Sequence, residues 1–449
     1  MEAYVEPEDE LKPSPAYDRY KSYIKYGNQL RAHFADDSIL AVAAIVQIVR
    51  NRNRLKKESG SESYEKVAYL IHQFKRKEEI ELFRAVYGRL FFQISLYSRR
   101  GSRVDALARK FAASENSGHL EKFRSRAEEI IQVDEDEVAE LHGQRVAKIF
   151  HDADFIVALD HATLDVKSQV DRFCEVLFSS NCFSPNKMEY GMFAAKGAAL
   201  RTLDLSRQVG AAIFTAEGEV IALGSNEVPK GGGGTYWPED GIDAREHVLG
   251  HDSNHKRKQQ LLSELIKLID PKMDVAATLE RRDIKNSQLM DALEYGRIIH
   301  AEMSAICDAA RLGLAIRGST IFCTTFPCHM CAKHIIAAGI AKVVFLEPYP
   351  KSLAAELHSD ALQIEGTDRG HYASYPATHL EHFFGITPRR YRELFARGSR
   401  KDGDGSLKPY IHGEAVPNLD IKVPFYLEFE NVILRQWKNT VAADAVFDT

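Results

Sequence analysis

His300-Ala301-Glu302-Met303-Ser304-Ala305-Ile306-Cys307 is followed by Thr320-Ile321-Phe322-Cys323-Thr324-Thr325-Phe326-Pro327-Cys328-His329-Met330-Cys331, and then by Ala341-Lys342-Val343-Val344-Phe345-Leu346. The spacing predicts a helix over Ala301–Leu312, a strand over Thr320–Thr324, a helix over Met330–Ala338 and a strand over Ala341–Leu346. Strand, helix and strand in that order make a βαβ unit with parallel strands. Upstream, a helix is expected near Met192–Ser206, then strands at Gly210–Phe214 and Glu219–Leu223. The Glu217-Gly218 turn between them predicts an antiparallel hairpin. Hairpin and βαβ unit together imply an α/β fold with a mixed sheet, interrupted by a polar insertion from about Pro229 to Met290.

The chemistry lies in two short motifs of this stretch. His300, Cys328 and Cys331 offer one imidazole and two thiolates, three ligands that leave a tetrahedral zinc one open position for water. Cys328 and Cys331 share one face at the start of a helix, where the dipole favours the thiolate. Glu302, two residues beyond His300, is placed to move protons without binding the metal. H-x-E followed by P-C-x-x-C is the signature of zinc nucleobase deaminases. A structural zinc knot would want a fourth Cys or His, and His329 between the cysteines points to the wrong face. A redox dithiol would leave His300 and Glu302 without a role.

Before this region the chain reads as helices with a few strands. Helices are expected at Tyr17–Phe34, Ser38–Asn53 and Asp134–Phe150, with buried strands at Leu90–Tyr97 and Phe155–Leu159. The boundary between the two parts is expected within Phe183–Lys196. With 45% hydrophobic and 27% charged residues, the chain is able to bury a core, which excludes disorder over most of its length. Lys plus Arg number 59 against 64 Asp plus Glu, for a net charge of -5. That balance argues against affinity built on neutralising the phosphates of a polynucleotide. The longest apolar run, Ile39–Val46, is too short for a membrane span, and the acidic N-terminus is no secretory signal. No membrane association and a cytoplasmic location are expected. Six cysteines are too few for a disulfide scaffold.

The second part resembles the deoxycytidylate deaminase branch of the cytidine deaminase superfamily. Gly224-Ser225-Asn226-Glu227-Val228-Pro229 is similar to that branch's G-x-N-x-x-P segment, which implies that Asn226 hydrogen-bonds the substrate nucleoside; a turn asparagine is the competing reading. In Glu347-Pro348-Tyr349-Pro350-Lys351-Ser352, the resemblance implies that Lys351 reaches a phosphate. The whole chain resembles the bacterial anti-phage dCTP deaminases, which join a nucleotide-kinase-like P-loop domain to such a deaminase. Tyr17–Arg52, with Gly27-Asn28-Gln29-Leu30-Arg31, and Phe83–Arg100 carry the kinase-like resemblance. Yet no G-x-x-x-x-G-K-[ST] occurs in the 449 residues, and Gly231–Gly234 lacks the Lys that follows such a loop. Either the first strand and its loop precede Met1, or the domain has lost nucleotide binding.

The resemblance implies a cytidine-deaminase-like α/β/α sandwich over 183–449, and over 1–182 a degenerate or truncated P-loop-kinase-like α/β domain. It implies zinc-dependent hydrolytic deamination of free deoxycytidine nucleotides, dCTP before dCMP, with zinc held by His300, Cys328 and Cys331 and Glu302 as proton carrier. It also implies depletion of dCTP in anti-phage defence, a homo-oligomer, and by family analogy an inhibitory RNA or protein. The alternatives are a polynucleotide deaminase, which needs a basic, aromatic-lined channel, and a non-catalytic zinc-stabilised sensor. His247, His251 and His255 fall at helical spacing but are read as solvent-facing, because Gly250 interrupts the helix. The Arg99-Arg100-Arg103 cluster is read as structural, and Arg389–Lys401 as a solvated face or a phosphate contact.

Overall fold

The computed structural model describes residues 5–60, 67–137, 140–161, 163–419 and 425–447. The chain divides into two compact units, residues 1–183 with 396–449, and residues 184–395. The second part expected from sequence was 183–449; in the structure its last stretch packs with the first unit. None of the helices among the described residues is long and apolar enough to cross a membrane.

In the first unit, helices α1 (Ala16–His33), α2 (Ile39–Ser59) and α3 (Lys77–Tyr87) surround a core of Leu30, Ile45, Val46 and Phe83. The C-terminal helix Tyr426–Phe447 adds Ile433 and Trp437 to that core. Its Glu430 is buried and receives hydrogen bonds from the Arg52 guanidinium and from the Tyr87 hydroxyl. Strand β1 (Ile94–Tyr97) pairs in parallel with β2 (Phe155–Ala158), with Ile94 opposite Phe155. The strand expected from Leu90 starts later because Gly88–Leu90 is a 3-10 turn, and Ile94 and Leu96 are exposed rather than buried. Helices α4 (Arg100–Ser114) and α5 (Glu121–Asp136) lie between the two strands in sequence, and α6 (Val166–Leu177) follows.

The helix expected over Asp134–Phe150 is corrected. Helix α5 ends at Asp136, the chain turns, and a short helix resumes at Val146–Ile149. Positions 138–139 of that expectation lie outside the described residues. Of the arginine cluster, Arg103 pairs with Glu135 at 2.7 Å, while Asp160 accepts from the Ser98 hydroxyl and the Arg99 amide.

In the second unit, α7 (Lys187–Ala199) replaces the helix expected at Met192–Ser206, its start fixed by a reciprocal cap between Asn186 and Glu189. Strands β3 (Gly210–Phe214) and β4 (Val220–Ser225) form the expected hairpin, with Gly218 at φ 107° in the turn. After the insertion come α8 (Ala301–Arg311), β5 (Thr320–Thr325), α9 (His329–Ala337), β6 (Lys342–Glu347), β7 (Leu362–Ile364) and β8 (Thr378–His382). The sheet order is β4-β3-β5-β6-β8-β7. Strand β3 runs antiparallel to both its neighbours and the remaining pairs are parallel, so the sheet is mixed, as the sequence predicts.

Side-chain alternation covers both faces of this sheet. Ala211, Ile213, Ile321 and Cys323 pack under Ala301 and Ala305 of α8 and Ala332 and Ile335 of α9. On the opposite face Phe322 lies against Gly191 of α7, and Phe214 meets Tyr190 edge-on. Two glycines set how closely the helices approach. A Cβ on Gly210 would stand 2.0 Å from the Ala195 carbonyl oxygen of α7, and one on Gly224 2.1 Å from the Ala301 carbonyl oxygen of α8. The result is an α/β/α sandwich, two helical layers around one sheet.

Within the insertion, Gly250 at φ 74° stops a short helix at Leu249, and Asp252 caps the next one, Ser253–Ile269. His247 and His255 are exposed and belong to different helices. The run Arg389–Lys401 is divided: Arg390 pairs with Glu393 on the helix Pro388–Phe395, whereas Arg397 donates to the Val176 carbonyl at 3.3 Å.

Candidate metal centre and nucleotide site

Parallel pairing of β5 with β6 brings two helix starts to the carboxyl end of the sheet. His300 is the N-cap of α8 and Cys328 the N-cap of α9, with the Cys331 amide donating to the Cys328 sulfur at 3.5 Å. His300 Nδ1 lies 3.3 Å from Cys328 Sγ and 3.4 Å from Cys331 Sγ. All three donor atoms fall within 4.8 Å of one another. A tetrahedral zinc with bonds of about 2.3 Å to sulfur and about 2.0 Å to nitrogen requires an N···S edge of about 3.5 Å, so the donor set fits that ion. The cysteines are free thiols, Cys328 and Cys331 buried. Among the described residues this is the one group of three His, Cys, Asp or Glu side chains so placed.

The electrostatics prepare the sulfurs for metal. A hydrogen bond from Cys331 lowers the Cys328 thiol from 9.0 to about 4, aided by His300. Cys331 is driven the other way, first by that same hydrogen bond and then by burial, so the pair shares one proton. The Cys328 sulfur in turn raises the His300 pKa. Glu302, on the first turn of α8, is 4% exposed, and its Oε2 accepts from Cys331 Sγ at 3.4 Å. Burial pushes its carboxyl pKa up. Behind it, burial raises the Cys323 thiol, which takes no place in the donor set.

A backbone bridge joins the two sides of the site. Glu227 and Ile299 pair antiparallel and so set Asn226 beside His300 across the whole insertion. Asn226 is buried: its Oδ1 accepts from the Val209 amide at 2.7 Å, and its Nδ2 donates to Asp204 Oδ2 at 2.5 Å and to the Arg207 carbonyl at 2.8 Å. Its carboxamide therefore fixes the loop 204–209. Lys351 is exposed and paired with Asp291 of the insertion at 2.6 Å. His329 is not part of the donor group; its Nε2 lies 3.3 Å from Glu294 Oε1.

Sequence reading brought His300, Glu302, Cys328 and Cys331 together and missed Asp204, Arg207, Glu294 and Tyr349. Asp204 lies close enough to raise the His300 pKa. Burial and the Cys328 charge raise the Tyr349 phenol, and the Arg207 guanidinium sits 5.4 Å from that ring's centroid. A signal for Arg207 existed: β3 runs antiparallel to β5, so residues just before β3 fall at the end where β5 delivers Cys328.

Residues 185–347 match the model of the cytidine and deoxycytidylate deaminase zinc-binding region. A deoxycytidylate deaminase of Enterobacteria phage T2 is 50% identical over 12% of this chain and 29% of its own length. A probable deoxycytidylate deaminase of Drosophila melanogaster is 28% identical over 39% of this chain and 69% of its own. The human deoxycytidylate deaminase is 27% identical over 35% of this chain and 63% of its own. This chain thus spans under a third of the phage relative that it matches. The matched region and the donor geometry agree: His300, Cys328 and Cys331 lie within the residues that match a zinc-binding region, and their donor atoms fit a zinc ion.

Proposed function

We propose that the second unit hydrolytically deaminates free deoxycytidine nucleotides, dCTP before dCMP, giving the deoxyuridine nucleotide and ammonia. One observation carries the reading: a three-donor zinc site with a buried carboxyl beside it that is not a ligand. When bound, zinc lowers the pKa of a water from about 15.7 to about 7 and so supplies a nucleophile for C4 of cytosine at neutral pH. Glu302 accepts the water's first proton on its carboxylate and passes it to the ring nitrogen N3; it then takes the second from the hydroxyl on C4 and gives it to the amine, which leaves as the C4–N bond breaks and C4=O forms. Water's oxygen replaces the amine nitrogen at C4, and the balance is one water consumed for one ammonia released. The raised pKa of Glu302 suits a group that must both take and give a proton near neutrality. Asn226 is assigned to the nucleoside through the remaining lone pair of Oδ1, as acceptor from a sugar hydroxyl. Lys351 is assigned to a phosphate, which takes the place of Asp291.

On the same reading the protein is a cytoplasmic homo-oligomer that depletes dCTP during phage replication, kept silent by an RNA or protein. The first unit is then a degenerate or truncated kinase-like domain, with no phosphate-loop motif in these 449 residues. The test is ammonia release from dCTP, dCMP, deoxycytidine and a cytosine-containing oligonucleotide, with the dCTP rate highest. Comparable release from the oligonucleotide overturns the free-nucleotide reading. Stoichiometric zinc with no release from any of the four overturns the enzyme reading.

A further inference from the structure

Arg207 stands apart from the other cations around the site. Its side chain is 47% exposed, and among the described residues its ion partner is Glu347 at 3.8 Å, a loose contact. Two other arginines of the second unit are held more firmly: Arg245 forks onto Asp243 at 2.6 Å, and Arg201 donates to two backbone carbonyls. The Arg207 guanidinium instead leans over the Tyr349 ring, and the Tyr349 phenol also feels the charges of Cys328, Asp291 and Lys351. Tyr349 is thus near enough to Cys328, Arg207 and Lys351 to feel the charge of each.

The backbone beneath Arg207 is unusually fixed for a loop. Asn226 holds the Arg207 carbonyl and the Val209 amide, Asp204 holds Asn226, and Asp204 also accepts from the Ser206 amide at 2.8 Å. A guanidinium on an immobilised loop, resting on an aromatic face and weakly paired, is preorganised for an incoming anion. Its planar fork matches phosphate oxygens, and little is lost when Glu347 gives way.

We propose that Arg207 is a specificity-determining residue that grips the 5′-phosphate chain of a nucleoside phosphate as the base enters the zinc site. The proposal rests on the deaminase reading above. Arg207 and Lys351 then act on the same ligand from the two segments that meet at Tyr349. The Lys351 cation must leave a close pair with Asp291 at 2.6 Å, whereas Arg207 leaves only its loose contact with Glu347 at 3.8 Å.

The test compares wild type, Arg207→Gln and Arg207→Lys on dCTP, dCMP and deoxycytidine, with zinc content and circular dichroism recorded for each. Arg207→Gln is expected to lower the ratio of kcat/KM for dCTP to that for deoxycytidine by about 10–100-fold, the range of a lost charge-assisted hydrogen bond. The loss should lie in KM, as it does for an interaction made equally in ground and transition states. Arg207→Lys, keeping the charge without the fork, should recover part of it. An equal loss on all three substrates, or a loss in kcat with KM unchanged, overturns the role of Arg207 while leaving the deaminase reading intact. No ammonia from any substrate with wild type overturns both.

Discussion

Glu227 and Ile299 exchange two backbone hydrogen bonds, at 3.2 and 3.1 Å, and by doing so hold the first ligand of the metal next to the loop clasped by Asn226. The insertion leaves the sheet just after one partner and returns at the other. The site is thus closed by backbone pairing that no side-chain identity specifies.

Removing the proton carrier should separate metal binding from turnover. Glu302→Ala is expected to keep one zinc per chain by elemental analysis while ammonia release falls by about 10²–10⁴-fold, the usual range for general acid–base groups. Retained deamination would remove Glu302 from the mechanism.

Removing a sulfur should cost metal, activity and stability together. Cys328→Ser is expected to lose zinc. At a zinc concentration about 1,000-fold above the wild-type Kd, the wild type should exceed it by about 4 kcal/mol in unfolding free energy. Thermal melts with and without added zinc measure the difference, which should vanish in chelator.

Zinc affinity should rise with pH. In the metal-free protein Cys328 is already ionised at neutral pH, its thiol lowered to about 4, whereas Cys331 keeps its proton. Where His300 is neutral, metal uptake therefore expels about one proton, and affinity climbs about tenfold per pH unit. At lower pH the His300 imidazole, raised by Cys328, also binds a proton that zinc must displace, so the slope steepens as pH falls. Titration calorimetry in buffers of different ionisation enthalpy counts the protons directly.

The two close-approach glycines should respond differently. Gly210→Ala and Gly224→Ala each place a methyl against a helix carbonyl, at 2.0 and 2.1 Å, and should destabilise by about 1–3 kcal/mol or more through forced separation. Gly224 presses on Ala301, the residue after His300, so only Gly224→Ala should also weaken zinc binding. Competition with a zinc chelator distinguishes them.

In the first unit, Glu430→Ala strands the buried Arg52 guanidinium and the Tyr87 hydroxyl. A loss of about 3–5 kcal/mol is expected, since removing one partner of a buried ion pair costs far more than removing one of an exposed pair. Chemical denaturation followed at Trp437, which lies in the same core, reports it.

The segment from Ala301 to Leu346 was legible because its apolar residues alternate or recur on one face, and because each element there is specified by local contacts. The loop preceding β3 was not. Asp204 and Arg207 matter through Asn226, which is distant in sequence. The acids Asp134, Glu135, Asp136 and Glu137 read as the opening turn of a helix, where negative charge is favourable. They are instead the end of one, an arrangement tolerated because Lys75, Arg103 and Arg145 pair with the first three. Those cations come from other elements, and sequence-local rules do not see them.

The polypeptide leaves its first unit at Phe183 and rejoins it at Ala396. The zinc-bearing unit is therefore a cassette spliced into a host. Cleavage at either junction would yield two fragments that co-elute under native conditions, clasped by the Arg52–Glu430 pair, and part only in denaturant. Loss of the terminal helix would injure the host, although the zinc ligands lie in the cassette.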